Sequence, residues 1–243
     1  MYREHAVAHD LSGVARCTWQ HTAERAELAR VVPDACTDIL WDGSGLHVAG
    51  PDTRPYSQPL AAGASLVCIR FAPGCGPRLL GAPGTALRDS RVDLGELWGD
   101  EAARLAERLA SAPDVAAQWR LLEAAVRERL ACGSGPDGLV LESVRLLARG
   151  VDEVPSIAAL AARLGVTERQ LLRRSNAALG YGPKLLARIL RFQSFMRALR
   201  EGPRTSLAEL AFVCGYSDQA HLSHETAELA GATPGQLQAE LAR

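Results

Sequence analysis

Leu160-Ala161-Ala162-Arg163-Leu164-Gly165-Val166-Thr167-Glu168-Arg169-Gln170-Leu171-Leu172-Arg173-Arg174 has a second version fifty residues downstream: Leu210-Ala211-Phe212-Val213-Cys214-Gly215-Tyr216-Ser217-Asp218-Gln219-Ala220-His221-Leu222-Ser223-His224. In each, an Ala stands four residues before a Gly, and a hydroxyl two residues after that Gly can start a second helix. Ala lets two helices approach closely, and Gly accepts the positive φ of a sharp inter-helix turn. Each copy therefore reads as a helix-turn-helix, whose second helix is built to lie in a major groove. Two in tandem imply a chain that touches double-stranded DNA twice.

The surrounding sequence supplies helices to carry the two units. Leu139 to Arg149 is amphipathic, Ser156 caps Ile157 to Leu164, and Thr167 caps Glu168 to Leu179. Gly182-Pro183 starts a long helix through about Arg200, because Pro suits a first helical turn. Ser206 caps Leu207 to Cys214, Ser217 caps Asp218 to Glu228, and Thr233-Pro234 opens a last short helix. Residues 139–243 thus read as an all-α domain of seven helices.

Upstream the texture changes. Cys132-Gly133-Ser134-Gly135-Pro136-Asp137-Gly138 packs four helix breakers into seven residues and marks a linker, 132–138. Before it, Ala102 to Ala110 and Val115 to Leu130 are helical, with Val115, Trp119, Leu122 and Val126 on one face and Asp114 as N-cap. Val14 to Trp19, Ile39 to Trp41, Leu46 to Ala49 and Ser65 to Phe71 are short strands between Gly and Pro turns, and Pro73 to Gly84 reads as loop. The fold class is α+β. A β-rich, barrel-like domain of residues 1–131, trailing helices over 93–131, precedes the all-α domain.

Composition narrows the function. With 243 residues, 47% hydrophobic and 23% charged, the chain has the make-up of an ordinary globular protein. Apolar runs are broken by Arg, Gly or Pro, and no apolar stretch follows the charges of Met1-Tyr2-Arg3-Glu4-His5, so no membrane span and a cytoplasmic location are expected. Residues 151–243 carry 11 Lys+Arg against 9 Asp+Glu (+2), and residues 1–150 carry 16 against 19 (−3), which together give the net −1. A +2 domain is too weakly basic for a general polyanion binder, so the placement of the arginines decides. The six cysteines contain no C-x-x-C pair and read as free thiols.

Enzyme chemistry has little support. His47 is the lone histidine among the middle strands, and no Walker loop, nucleophile elbow or dinucleotide fingerprint occurs, so no catalytic residue, metal or cofactor is expected. Trp19, Trp41, Arg54 and Arg70 are the candidates for lining a small-molecule pocket, since aromatics supply burial and arginine grips an anion. Their plainer reading is core for the tryptophans and surface for the arginines.

Residues 139–241 resemble the DNA-binding domain of the AraC/XylS family of bacterial transcription regulators. Ile157 to Gly165, Leu179-Gly-Tyr-Gly-Pro-Lys184, the Arg188 to Leu199 helix, Leu210 to Ser223 and Thr233-Pro234 carry the resemblance in order. Residues 1–131 are similar to cupin-like sensor domains that precede this module, through Val31 to Trp41 and Ala49-Gly-Pro-Asp52. The resemblance implies a regulator answering an unknown small-molecule effector. A homodimer formed through 93–131 is expected, with RNA polymerase as a further partner.

Two departures qualify it. The family's first recognition helix reads Arg-Arg-Phe where this chain has Arg173-Arg174-Ser175, and its second reads Ser-Arg-Xaa-Phe where this chain has Ser223-His224-Glu225-Thr226. A lost buried Phe costs about 3–5 kcal/mol when the site cannot collapse. Either neighbours fill the space, or both residues face solvent, or DNA binding is weakened and the chain acts as a ligand- or partner-binding module.

The expected DNA contacts follow from side-chain chemistry. In the first unit they are Arg169, Leu172 and Arg173; Arg169 and Arg173 stand at i and i+4, and arginine holds guanine or phosphate. In the second they are Gln219, Ala220, His221, Ser223 and His224, where Gln suits adenine and Ala a thymine methyl. Lys184 and Arg188 sit on the helix joining the units. Glu168 and Asp218 favour the helix dipole, while Glu225 would repel phosphate unless it points away.

Overall fold

The computed structural model describes residues 1–133, 135–150, 156–201 and 206–241. Its first part contains eight strands: β1 (Tyr2–His5), β2 (Ala15–Thr22), β3 (Glu27–Val31), β4 (Thr37–Trp41), β5 (Leu46–Ala49), β6 (Tyr56–Leu60), β7 (Ser65–Phe71) and β8 (Arg91–Asp93). They form a six-stranded antiparallel sheet in the order β1-β2-β7-β4-β5-β8 and a separate antiparallel pair, β3-β6. The larger sheet stays open, with β1 and β8 as its edges.

Strand alternation sorts the side chains. Ile39, Trp41, Val48, Val67, Ile69 and Phe71 face one way into the main core of this part. Cys17, Trp19 and Cys68 face the other, with Leu40 and Leu66. The strands missed by pattern are β1, β3, β6 and β8; β1, β6 and β8 are mostly polar, and the apolar residues of β3 are only partly buried or exposed.

Helices close the core side: α1 (Gly76–Leu80), α2 (Gly84–Leu87), α3 (Leu94–Trp98), α4 (Asp100–Ala110) and α5 (Val115–Cys132). α1 and the start of α2 fall within the stretch expected to be loop. Pro77 occupies the first turn of α1, where its missing N–H costs nothing, and Gly81 ends that helix in the left-handed conformation. Burying Leu79 and Leu80 repays the ordering of so short a helix. In α5, Leu122 and Val126 are buried with Val115 and Trp119 packed beside them, and Asp114 accepts from the Ala117 N–H at 2.7 Å.

The second part holds seven helices among the described residues: α6 (Gly138–Leu147), α7 (Ile157–Arg163), α8 (Glu168–Leu179), α9 (Pro183–Glu201), α10 (Leu207–Val213), α11 (Gln219–Ala230) and α12 (Pro234–Leu241). Of the expected 132–138 linker, Cys132 ends α5, Asp137 caps α6, Gly138 begins it, and Ser134 lies outside the described residues. Around α9, Leu186, Ile189, Phe192 and Phe195 form the centre of the helical core.

The two parts meet along a seam. Gln193 on α9 donates to the Pro33 carbonyl at 2.7 Å, and Arg88 donates to the Gly180 carbonyl at 3.1 Å. Ala35 is buried in the helical core, and Tyr181 is buried on the Asp34, Cys36, Asp52 and Asp89 side, where desolvation pushes its phenol well above the tyrosine range. The tightest approach is of backbone: a Cβ on Gly84 would lie 2.3 Å from the Gly180 nitrogen.

Candidate nucleic-acid interface

Both turns form as the Ala and Gly spacing requires. Gly165 and Gly215 take φ of +67° and +78°. The Val166 N–H donates to the Ala161 carbonyl at 3.0 Å, and the Tyr216 N–H donates to the Ala211 carbonyl at 2.9 Å. Thr167 starts α8 with a capping box: its hydroxyl accepts from the Gln170 N–H, and the Gln170 side chain accepts from the Thr167 N–H.

The second unit differs by one residue. Its cap is Asp218 rather than the expected Ser217: Asp218 Oδ1 accepts from the His221 N–H at 2.8 Å. A carboxylate there also meets the positive end of the helix dipole. Counted from the caps, Arg169 corresponds to Ala220, Leu172 to Ser223, Arg173 to His224, Arg174 to Glu225 and Ser175 to Thr226.

Each recognition helix turns one stripe inward: Leu171, Ser175 and Leu179 on α8, and Leu222, Thr226 and Ala230 on α11. Ser175 and Thr226 are both 0% exposed, so neither faces solvent. Thr226 satisfies its hydroxyl on the Leu222 carbonyl at 2.6 Å, whereas Ser175 Oγ is buried without a partner among the described residues.

The outward stripes carry most of the expected contacts. Arg169, Leu172 and Arg173 are exposed on α8, as are Gln219, Ala220 and His224 on α11, and Lys184 on the first turn of α9. Ser223 is half-buried and donates to the Gln219 carbonyl at 2.8 Å. His221 is held from several sides: Nδ1 lies 3.1 Å from Ser217 Oγ, Nε2 lies 3.6 Å from Glu225, and the ring meets Tyr216 edge-on.

Arg188 is engaged in an internal ion cluster instead of standing free. Glu225, 3% exposed, accepts from Arg188 Nε and from Arg191 Nη2, both at 2.8 Å, and Arg188 also pairs with Glu228. Burial opposes the charge on Arg188, but the hydrogen bonds of the two carboxylates outweigh it and hold the guanidinium above its ordinary pKa. Glu225 therefore points inward and ties α11 to α9. Sequence reasoning missed this clamp, although Arg188 and Arg191 at i and i+3 on α9 were its available signal. Arg174 is similarly occupied, gripping Asp137 through two bonds of 2.7 Å and holding that carboxyl below the usual range.

The four residues considered for a small-molecule pocket do not come together. Trp19 and Arg70 do, with the guanidinium 5.5 Å from the ring centroid and bound to Asp38 at 3.0 and 2.9 Å. Trp41 lies in the core on the opposite face of the sheet, and Arg54 is exposed on the loop before β6. Among the described residues no group of three or more His, Cys, Asp or Glu is placed to hold a metal, and no helix is long and apolar enough to cross a membrane.

Comparison with known proteins agrees with this geometry. Residues 160–240 match the family model described as a helix-turn-helix domain, and residues 3–93 match a domain of unknown function, DUF6597. An AraC-type transcriptional regulator from Chromobacterium violaceum is 27% identical with a TM-score of 0.41, covering 43% of this chain and 93% of its own. ToxT from Vibrio cholerae O395 has a TM-score of 0.52 at 9% identity, covering 92% of this chain and 98% of its own, a likeness of fold alone. A probable bifunctional transcriptional activator/DNA repair enzyme AlkA from Mycobacterium tuberculosis is 35% identical over 104 residues, which are 43% of this chain. The chain spans about a fifth (21%) of the length of that curated relative.

The C-terminal part is an AraC-type DNA-binding domain with two helix-turn-helix units.

Proposed function

We propose that the chain is a sequence-specific regulator in which residues 1–131 sense a small-molecule effector and residues 139–243 read DNA. The observation that carries this is the pairing of α8 and α11. Both bury one stripe on the helices around α9 and leave a polar outer stripe free. Arg169 and Arg173 supply phosphate and guanine contacts in the first groove. Gln219, Ala220, Ser223 and His224 supply a weaker, nearly neutral reading surface in the second. Arg188 acts behind it, positioning α11 through Glu225.

Helices α3–α5 are the proposed dimerisation segment, and RNA polymerase is the proposed downstream partner. Effector binding acts only through a difference in affinity between two arrangements of the halves.

Fluorescence anisotropy with DNA tiled across the gene's own upstream region, at two salt concentrations, tests the reading. Saturable binding to particular fragments that weakens with salt supports it. The absence of fragment preference in a folded protein would leave a ligand- or partner-binding module, the reading favoured by the missing arginine at position 224.

A further inference from the structure

The two reading helices differ in the kind of charge they offer. Counted from the caps, His224 on α11 stands where Arg173 stands on α8. An arginine keeps its charge at every physiological pH, whereas a histidine gains or loses its charge between about pH 5 and 8. Two histidines, His221 and His224, lie on α11, and their surroundings are not alike.

His221 is tied into the turn. The Ser217 N–H donates to its Nδ1 at 3.3 Å, which places the proton of the neutral ring on Nε2, 3.6 Å from Glu225. A second proton would arrive on Nδ1, against the N–H already donating there. His224 has no such tie. Its side chain is 75% exposed, and Nε2 lies 3.3 Å from Glu228, its one partner among the described residues.

The charges packed around His224 cancel. Arg188 and Arg191 of α9 are both positive, Glu225 and Glu228 of α11 are both negative, and the four are joined to one another. Arg188 holds the Glu228 carboxyl below the usual range, so Glu228 stays ionised wherever a histidine titrates. The acids of the neighbouring helices are engaged elsewhere: Glu209 of α10 with Ser206, and Glu240 of α12 with Arg30. Asp218 caps the start of α11. The proton on His224 therefore decides whether this face of α11 is neutral or positive.

We propose that His224 is a proton-gated phosphate contact. Protonated, its exposed imidazolium meets a DNA phosphate as Arg173 does in the first unit; neutral, it leaves the second unit to uncharged side chains. A phosphate favours the protonated ring, so binding takes up a proton and DNA affinity rises as pH falls. The gate rests on the regulator reading, and the experiment separates the two.

The test is fluorescence anisotropy on the tiled upstream fragments at about pH 6 and about pH 8, each over a range of salt. It compares the full chain with His224→Gln and His224→Arg, and circular dichroism verifies that both variants are folded. The parent chain binds about fivefold tighter at the lower pH, close to the most that one exposed ion pair contributes. Its affinity also falls more steeply with salt there, by about 0.9 in the log–log slope for one added phosphate contact. His224→Gln loses both differences. It removes one of the six histidines, so what it loses belongs to that ring. His224→Arg binds tightly, with the steeper salt slope, at both pH values.

Equal parent affinity at the two pH values, or a pH response that survives in His224→Gln, overturns the gate and leaves the regulator reading standing. Absence of saturable binding to any fragment, by all three chains at both pH values, removes the regulator reading and the gate with it.

Discussion

Gly84 and Gly180 touch backbone to backbone across the seam: a Cβ on Gly180 would lie 2.5 Å from the Gly84 carbonyl oxygen, and one on Gly84 2.3 Å from the Gly180 nitrogen. Gly180 also ends α8 with φ of +80°, so one residue closes the recognition helix and docks it on α2. Gly180→Ala is expected to cost about 1–3 kcal/mol from backbone strain alone. Gly84→Ala pushes the halves apart, while Gly13→Ala, with open space around it, changes stability by less than about 0.5 kcal/mol. Urea denaturation of the three variants checks the ranking.

The buried hydroxyls of the recognition helices make opposite predictions for substitution. Ser175→Ala removes an unpartnered buried oxygen and should stabilise the domain by about 1 kcal/mol. Ser175→Phe, the family-like residue, should destabilise it by about 1–3 kcal/mol, because serine is fully enclosed and a ring has no open surface to project into. Thermal denaturation of the two variants separates these outcomes; a stabilising phenylalanine would mean that the site is under-filled.

Removing Glu225 leaves Arg188 and Arg191 facing one another without their shared carboxylate. Glu225→Ala should cost about 3 kcal/mol. It should also weaken DNA binding more than His224→Ala does, by freeing α11 from α9. Melting curves together with anisotropy read both effects.

Acid should loosen the tie between α6 and α8. The Arg174 hydrogen bonds lower the Asp137 pKa in the folded chain, so this pair's contribution is present above the unfolded value and is lost as pH falls through the folded one. Stability measured below about pH 4 should therefore fall less steeply in Asp137→Asn than in the parent chain. Equal slopes would show that Asp137 does not titrate with folding.

Much of the helical part was legible because its signals are local. Thr167, Ser156 and Ser206 cap the helices expected of them, and Pro183 opens α9. Two facts were hidden by distance. The shift of the second cap to Asp218 depends on how the turn after Gly215 packs, and the inward aim of Glu225 depends on arginines 37 and 34 residues away. The strand-rich half was legible only where strands are buried: β4 and β7 are buried along most of their length, whereas most residues of β3 and β6 are partly or fully exposed. Why Trp41 and Arg54 fail to join Trp19 and Arg70 is a matter of sheet face and loop path, which residue type does not encode.

The direct test of the central claim is hydroxyl-radical footprinting on a fragment selected by anisotropy. If α9 holds α8 and α11 against one face of the duplex, two protected stretches should appear about one helical turn, roughly 34–36 Å, apart. Arg173→Ala should erase one stretch preferentially, at a cost of about 1–3 kcal/mol in affinity, and His224→Arg should strengthen the other. A single protected stretch, or protection indifferent to both substitutions, would contradict the account.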